Sequence, residues 1–349
     1  MIRFGQMRSV TPRPALCAVV LLILAAAPRA LARPLEIFFI DVEGGQSTLI
    51  VSPSGQSLLI DTGWRGFQGR DAERIAQAAK AGGVKKIDYL LITHYHADHV
   101  GGVQALTNQM KILNFLDHGP NVEDSKTTKE DYADYIKAVQ QGEHTVLTPG
   151  DTVPIKGLSV EVLTAAGAHI QKPLEGAGQP NSYCASTPKR ADDATENAQS
   201  LGVLVTYEKF RFLDLGDLTW NKELELMCPN NPIGTVDVLL VSHHGLNQSN
   251  SPALVDAVHP RVAIMNNGAR KGASPDAWQI VKDSPGLEDL WQLHYAEAGG
   301  KDHNVADSFI ANVDQGDGNY IKLTAEGNGT LTVWNQRNKF EKVYKTGSK

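Results

Sequence analysis

Short apolar runs separated by amphipathic segments recur along most of the chain, which is the pattern of strands that alternate with helices. The run over residues 87–92 is rich in leucine and isoleucine and too short for a buried helix, so it predicts a buried strand. Other predicted strands cover residues 35–40, 47–51, 57–60, 111–116, 158–163, 201–207, 210–215, 236–241, 262–265, 320–324 and 330–334. Predicted helices cover residues 71–80, 129–141, 220–227 and 252–258, and one more begins at residue 275.

Two segments interrupt this alternation. Residues 145–147 and 152–155 flank the turn-forming pair Pro149-Gly150 and are predicted to form a hairpin. Residues 166–198 are rich in glycine, proline, alanine, asparagine and serine and show no period. A structureless stretch of this length inside a compact domain is usually functional or disordered. We therefore predict a single domain over residues 33–349, with a long loop over its active site and a C-terminal β-hairpin.

The first 32 residues have the composition of an export signal. Three arginines precede an apolar stretch over residues 15–27, and Ala30-Leu31-Ala32 is a small-residue cleavage motif, which predicts a secretory signal peptide cut after Ala32. The apolar stretch is shorter than the roughly 20 residues that span a bilayer. The mature protein is therefore expected in the periplasm or outside the cell, without a membrane span.

Among the features of the composition, the net charge says most about possible binding partners. The chain is 42% hydrophobic and 21% charged, which is ordinary for a globular protein. Removal of residues 1–32 takes away four arginines and no acidic residue, so the net charge changes from −6 to −10. Long stretches of nucleic acid need a basic face, and no extended nucleic-acid surface is expected. The residues carry no signal for a particular oligomeric state.

Two cysteines, Cys184 and Cys228, remain after the predicted signal. In an oxidising compartment such a pair can form a disulfide, and two separate buried thiols are the alternative. Neither cysteine lies in a setting typical of an activated thiolate, so a catalytic thiol is not expected.

The strongest chemical signal directly follows the strand predicted over residues 87–92. Three histidines and one aspartate fall within residues 94–99, and a helix is predicted to begin after them. Imidazole nitrogens and carboxylate oxygens are ligands of zinc and similar divalent ions. Side chains in a strand-to-helix turn can converge on one point. The spacing therefore predicts a metal site that includes His94, His96, Asp98 and His99.

This motif, His94-x-His96-x-Asp98-His99 followed by Gly101-Gly102, resembles the signature of the metallo-β-lactamase fold superfamily. The resemblance implies an α/β fold, a four-layer αββα sandwich, over most of residues 35–270. It places the ligands at the C-terminal ends of strands, where α/β layers form their binding crevice.

The resemblance also assigns roles within a binuclear site. His94 and His96 match the pair that binds the first metal, and Asp98 and His99 match two ligands of the second. Asp217, in the sequence Leu-Gly-Asp, matches the aspartate that bridges both ions.

Three further positions follow from the same resemblance. His243 is favoured over His244 as the histidine that completes the second site, which leaves His244 just outside the ligands, facing the substrate. Asp61 matches an early aspartate that orients the metal loop through hydrogen bonds; on the residues alone it is equally a turn aspartate.

The third histidine of the first metal has no clear match. His169 follows the strand over residues 158–163 but is offset by one residue from the family pattern. His118 is favoured, because parallel strands joined by a right-handed crossover end at the same sheet edge, beside the motif. A first site without either histidine is the remaining alternative.

Such a site implies two divalent ions, zinc in the first place, with manganese or iron as alternatives. Two ions about 3.5–4 Å apart bind a water and lower its pKa toward ~7, so a metal-bound hydroxide is the expected nucleophile. Asp98 or His244 is expected to move protons. No serine or cysteine nucleophile is indicated.

The sequence FFIDVEGGQ at residues 38–46 resembles the opening motif of the metallo-hydrolase domain in bacterial DNA-uptake channel proteins, a branch that includes nucleases and phosphodiesterases. Gln46 departs from the aspartate usual there, and DNA uptake itself is not expected. The resemblance implies an exported metal-dependent hydrolase of phosphodiester-type substrates. Lactone, thioester or β-lactam hydrolysis is the alternative, and an iron-dependent oxidoreductase or a non-catalytic metal-binding protein would be another class.

Overall fold

The computed structural model of the protein describes residues 1–9, 11, 33–314, 316 and 318–347. Residues Arg33–Lys349 form one compact unit, and the described residues 1–9 and 11 belong to another. The apolar stretch of the predicted signal peptide and its cleavage site after Ala32 lie outside the described residues.

The first sheet holds nine strands and combines both ends of the folded unit. Its order is β19-β18-β17-β1-β2-β3-β4-β5-β6. These strands are β1 Leu35–Phe39, β2 Thr48–Val51, β3 Ser57–Ile60, β4 Ile87–Leu91, β5 Ile112–Asp117, β6 Glu143–Val146, β17 Ile321–Ala325, β18 Thr330–Asn335 and β19 Glu341–Lys345. Strands β3 to β6 run parallel to one another, so their C-terminal ends share one edge of the sheet.

The second sheet holds eight strands in the order β16-β15-β14-β13-β11-β10-β7-β8. They are β7 Ser159–Ala165, β8 Ala168–His169, β10 Gly202–Tyr207, β11 Phe210–Asp214, β13 Val238–Leu240, β14 Val262–Met265, β15 Asp289–His294 and β16 Ile310–Asn312. Strands β11 and β13 to β16 are parallel. A small third sheet pairs β9 Gln179–Pro180 with β12 Asn230–Asn231.

Among the residues that the structure describes, seven α-helices connect these strands. They are α1 Arg70–Ala81, α2 Ala97–Val100, α3 Val103–Thr107, α4 Lys126–Val139, α5 Trp220–Met227, α6 Pro252–Val258 and α7 Pro275–Lys282. Short 3₁₀ turns lie at Phe67–Gly69, Ser182–Ser186, Glu196–Gln199, Ser242–Gly245, Glu297–Gly299 and Asp307–Phe309. Helix α6 begins as its sequence predicts, because the Ser251 side chain accepts a hydrogen bond from the backbone N–H of Leu254 and proline follows it.

Three buried clusters define the layers. Successive strand residues point to opposite faces, so Phe39 packs between the sheets against Phe212, at 5.7 Å between ring centroids. On the outer face of the first sheet, Phe38 belongs to a cluster that includes Ile75 of α1. The second sheet is covered by α6 and α7 on its own outer face. The predicted αββα sandwich is confirmed.

The predicted hairpin around Pro149-Gly150 is wrong. Strand β6 instead pairs in parallel with β5, and Thr152 makes a single antiparallel bridge to Glu161. Helix α4 returns the chain to the open edge of β5, and Pro154 removes a backbone donor that a second hairpin strand would need. Strands β15, β16 and β19 were not anticipated, because their polar positions hide the strand pattern.

The long segment over residues 166–198 is more ordered than its composition predicts. It contains β8, β9 and two 3₁₀ turns, and a disulfide joins Cys184 to Cys228, with 5.8 Å between the Cα atoms. The disulfide attaches this segment to the end of α5. Of the two alternatives for these cysteines, the structure therefore shows the paired one.

Within the part of the chain that the structure describes, no helix has the length and apolar character needed to cross a membrane.

Candidate metal centre

Three loops at the C-terminal ends of strands meet at one edge of the sandwich. Residues 93–99 follow β4 of the first sheet, Asp217 follows β11 of the second, and the turn Ser242–Gly245 follows β13. Gly216 has a φ of 56°, and a Cβ there would lie 2.9 Å from the Cβ of Thr93. A glycine at this position therefore lets the loop that carries Asp217 lie directly against the histidine loop.

His94 and His96 turn their ring nitrogens toward each other. The Nε2 of His94 lies 3.1 Å from the Nδ1 of His96. The outer nitrogen of each ring has its own partner: His94 Nδ1 lies 3.0 Å from the Thr93 hydroxyl, and His96 Nε2 lies 2.9 Å from Glu123. Such partners fix the ring orientation of a metal-binding histidine.

Asp61 holds the same loop in place through contacts with Thr93 and His99. It is fully buried; Oδ1 accepts the backbone N–H of Thr93 at 2.8 Å, and Oδ2 accepts from the Thr93 hydroxyl at 2.7 Å. The Nδ1 of His99 lies 2.7 Å from the same Oδ2. This contact directs the Nε2 of His99 into the centre, which is the orienting role that the sequence suggested for Asp61.

Asp217 lies at the centre of the site, with four imidazoles around one of its carboxylate oxygens. Its Oδ2 lies within 4 Å of four histidine Nε2 atoms: His99 at 3.2 Å, His243 at 3.4 Å, His244 at 3.5 Å and His94 at 3.9 Å. Burial raises the pKa of the Asp217 carboxyl, but the surrounding imidazoles outweigh burial and hold this pKa well below its usual range.

The tightest group of potential ligands is Asp98, His99, Asp217 and His244, whose ligand atoms all lie within 4.8 Å of one another. The Nε2 of His244 lies 3.1 Å from the Asp98 Oδ2. This geometry favours His244 over His243 as the histidine that joins the second-metal ligands, the reverse of the preference drawn from the sequence.

Two consecutive left-handed residues make this arrangement possible. His243 and His244 have φ values of 53° and 54°, a conformation that costs non-glycine residues free energy and often marks functional sites. It turns both rings toward Asp217. His243 lies between Asn197, at 3.5 Å from its Nε2, and Ser249, at 3.4 Å from its Nδ1. Burial lowers the pKa of His243 to about 4.

Neither candidate for the third histidine of the first metal joins these residues. His118 is buried, but its Nε2 lies 3.0 Å from Glu196, which also accepts the backbone N–H groups of Tyr95 and Val122. His169 lies in the short strand β8, with its Nδ1 2.9 Å from its neighbour's carbonyl oxygen. The strand crossover places His118 near the motif as predicted, but the buried Glu196 carboxylate takes its Nε2.

Opposing charges and burial set the protonation of the centre. Burial lowers the pKa of His94 well below its usual range, and the neighbouring rings of His99 and His96 lower it further. Burial also lowers the pKa of His99, but the carboxylates of Asp217 and Asp98 outweigh it and hold that pKa well above its usual range. The centre therefore collects carboxylates and at least one neutral imidazole, the forms that bind divalent ions.

The polar atoms left without partners fit a metal ion. Among the residues that the structure describes, the buried Oδ1 of Asp217, Nδ1 of His244 and Oδ1 of Asn197 have no hydrogen-bond partner. A buried polar group without a partner is costly, and a cation held by the Asp217 carboxylate relieves that cost. Imidazoles and carboxylates also match the donors that zinc and manganese accept.

Sequence reasoning missed the residues that support the ligands. Glu123 and Glu196 lie in loops far from the motif, and only the structure shows that they hold His96 and His118. Lys271 contacts the Asp98 carboxylate. Gln46 stands where the opening motif usually has an aspartate, and its Nε2 donates a hydrogen bond of 2.9 Å to the buried Asp214 carboxylate. Burial raises the pKa of Asp214 to about 7.

Comparisons with known proteins agree with this geometry. Residues 40–179 match the model of the family described as the metallo-beta-lactamase superfamily. The matched region begins in the opening motif and includes the histidine cluster, so the superfamily predicted from that cluster is confirmed.

Two bacterial relatives agree with the branch that the opening motif indicates. Recombination protein 2 of Haemophilus influenzae is 27% identical over 256 residues, which cover 72% of this chain and 26% of that protein. ComE operon protein 3 of Bacillus subtilis is 26% identical over 268 residues, which cover 72% of this chain and 31% of that protein. The chain thus spans less than a third of the length of either relative.

A solved structure with the same fold name is also similar. The metallo-beta-lactamase fold protein YhfI of Bacillus subtilis is 10% identical to this chain, with a TM-score of 0.46, and the match covers 74% of this chain and 96% of that one.

Proposed function

We propose that this chain, which belongs to the metallo-beta-lactamase superfamily, is an exported metallo-hydrolase that cleaves phosphodiester-type substrates with two divalent ions. The observation that carries the proposal is the convergence of four imidazoles on one oxygen of Asp217, whose other oxygen has no partner within the described part of the chain. A shared carboxylate between two sets of donors is the arrangement of a two-metal site.

The contacts divide the ligands into two positions. His94 and His96 would hold the first ion together with Asp217, and Asp98, His99 and His244 would hold the second ion with the same aspartate. Zinc is the expected ion, with manganese or iron as alternatives, because imidazole and carboxylate donors accept all three.

When bound, such a pair of ions would supply a water activated near neutral pH and positive charge that offsets the charge developing on a phosphoryl group. Among the protein's own groups, His243 lies beside Asp217 but outside the tight ligand group, and Ser249 contacts its Nδ1. Because burial lowers the pKa of His243 to about 4, its imidazole is neutral near pH 7, so we assign to its Nε2, in place of His244, the acceptance of a proton from the attacking water. Asp98 and His244 serve as ligands.

The test is hydrolysis of bis-p-nitrophenyl phosphate by the mature protein loaded with zinc or manganese. Asp217→Asn should abolish turnover, because it removes the shared carboxylate charge. The matched control Asp276→Asn changes an exposed aspartate of α7 in the same way and should leave turnover unchanged.

The absence of turnover in a metal-loaded sample would contradict phosphodiester chemistry and direct attention to lactones, thioesters and β-lactams. Metal analysis of the same sample separates the other classes. A redox-active iron centre with no hydrolysis would replace the hydrolase by an oxidoreductase, and the absence of bound metal would contradict the site itself.

A further inference from the structure

A wide groove of about 810 Å³ lies beside the metal centre. Four cationic side chains line it, those of Arg70, Arg74, Arg270 and Lys271, against two acidic ones, Glu43 and Glu73. Each of these cations also has a carboxylate partner: Asp71 for Arg70, Asp41 for Arg74, Glu297 for Arg270 and Asp98 for Lys271. A ligand anion can therefore use only a cation whose own partner is exposed to solvent and releases it readily.

Lys271 joins the groove to the metal centre. It lines the groove, and its Nζ contacts the carboxylate of Asp98, a ligand of the second ion. The same Nζ lies 4.7 Å from the ring centre of Trp64. Gly44 has a φ of 81°, and a Cβ there would lie 2.9 Å from the Cβ of Lys271. The lysine is therefore closely packed at the boundary between the groove and the ions.

Phe67 provides an aromatic surface in the same groove. Its side chain is 62% exposed, although a large apolar ring is normally buried. The guanidinium of Arg70 stacks over this ring at 4.4 Å. An exposed ring beside a cation binds planar groups of a ligand through stacking.

Arg270 is the cation most available to a ligand. Its side chain is 77% exposed, and its only acidic partner in the described part of the chain, Glu297, is 52% exposed. An exposed ion pair of this kind contributes little and exchanges readily. Arg74, by contrast, is nearly buried and is committed to Asp41 at 2.8 Å, so it contributes background charge.

We propose that this groove binds a second phosphate of the substrate, on the far side of a planar ring that stacks on Phe67. Arg270 holds that phosphate, and Lys271 lies between it and the scissile phosphodiester. The inference rests on the proposed function and narrows the substrate class to phosphodiesters that carry both a planar ring and a further phosphate.

The test compares two nitrophenyl esters that differ by one phosphate. One is thymidine 5′-(p-nitrophenyl phosphate), and the other carries an additional 3′-phosphate. A charge-assisted hydrogen bond discriminates by roughly tenfold or more, so the wild-type kcat/KM should be about tenfold higher for the second ester. Arg270→Gln should reduce this ratio to near one through KM.

The matched control Arg33→Gln changes an arginine two residues before β1, outside the groove, and should keep the ratio. Calorimetric binding of thymidine 3′,5′-bisphosphate gives a readout without turnover: wild type should bind it about tenfold more tightly than Arg270→Gln. If wild type and Arg270→Gln bound the bisphosphate equally, or if the wild-type kcat/KM ratio of the two esters were near one, the proposed phosphate site in the groove would be overturned. The proposal of phosphodiester hydrolysis would not be affected. Failure to cleave bis-p-nitrophenyl phosphate would instead remove the proposed function.

Discussion

The two sides of the metal centre are built differently, although they share Asp217. On one side, Asp98, His99 and His244 gather with Asp217 so closely that all their ligand atoms lie within 4.8 Å. On the other side, only His94 and His96 face each other, and the histidine that should complete them, His118, is held by Glu196.

The difference follows from the elements that carry each side. The tight side uses residues at the ends of β4, β11 and β13 and in the first turn of α2, all supported by buried strands. The open side depends on loops: Glu123 precedes α4, and Glu196 and Asn197 end the long segment 166–198. Donors on rigid elements are pre-organised, whereas donors on loops must be held by other contacts.

Replacement of each of the two adjacent histidines by alanine, in separate variants, gives the largest expected effects. His244→Ala should reduce the metal content from two ions to one per chain. The loss in affinity should exceed the roughly 10–100-fold that a supporting partner contributes, because a direct ligand is removed. His243→Ala should keep both ions and lower kcat by about 10²-fold or more, as loss of a general base does. Metal analysis after gel filtration measures the first effect, and nitrophenyl ester kinetics measure the second.

The reverse result would restore the assignment that the sequence favoured. If His243→Ala lost an ion while His244→Ala kept two, His243 would be the ligand. Near-native circular dichroism of both variants is the control, since the left-handed backbone at these positions tolerates few side chains.

Removal of the disulfide separates the loop-built side from the strand-built side. The bridge spans 44 residues, so the double variant Cys184→Ser/Cys228→Ser should lose about 4 kcal/mol of unfolding free energy in the chain-entropy model. Denaturant titration measures this loss. Because the bridged segment carries Glu196 and Asn197, affinity for the first ion should fall, while the second ion stays bound. Equal weakening of both ions would show that the segment does not distinguish the two sides.

Part of the candidate site and much of the fold could be predicted from the sequence. The histidine motif lies in one short turn, so spacing alone brings His94, His96, Asp98 and His99 together. The apolar pattern predicts alternating strands and helices, because periods of two and 3.6 are local properties, whereas the four-layer sandwich followed from the resemblance. Asp217 followed from resemblance, and the structure places it at the centre of the histidines.

What the sequence could not supply depends on contacts between distant segments. The choice between His243 and His244 depends on the left-handed backbone conformation of both residues, which two adjacent histidines in a sequence do not predict. The fate of His118 depends on Glu196, 78 residues away along the chain. Strand β6 was placed in a hairpin because Pro149-Gly150 is a local turn signal, whereas the open edge of β5 is a tertiary feature.

The carboxylates behind the ligands give a smaller, matched pair of effects. Asp61→Asn should weaken the second ion, because Asp61 orients His99, and Glu123→Gln should weaken the first, because Glu123 orients His96. Each loss should be about 10–100-fold in metal affinity. Competition with a chromophoric chelator resolves the two binding steps. If both variants weakened the same ion, the division of ligands between the two positions would be incorrect.

The smallest effect should come from Asn197→His, and it is a gain. The Asn197 amide lies 3.5 Å from His243, and its buried Oδ1 has no partner among the described residues. An imidazole is a better zinc donor than a carboxamide oxygen. Because Asn197 belongs to the long segment that we assign to the first position, an imidazole there should raise zinc affinity at that position by about tenfold, or roughly 1.4 kcal/mol.

Asn197→Ala is the matched variant for this gain, because it removes the amide without adding a donor. It should leave zinc affinity at the second position unchanged and should not strengthen the first. Titration with zinc and, separately, with manganese sharpens the outcome, since an added imidazole favours zinc over an ion that prefers oxygen ligands. A gain for both ions at the second position would place Asn197 on the strand-built side, and the contrast between the two sides would no longer hold.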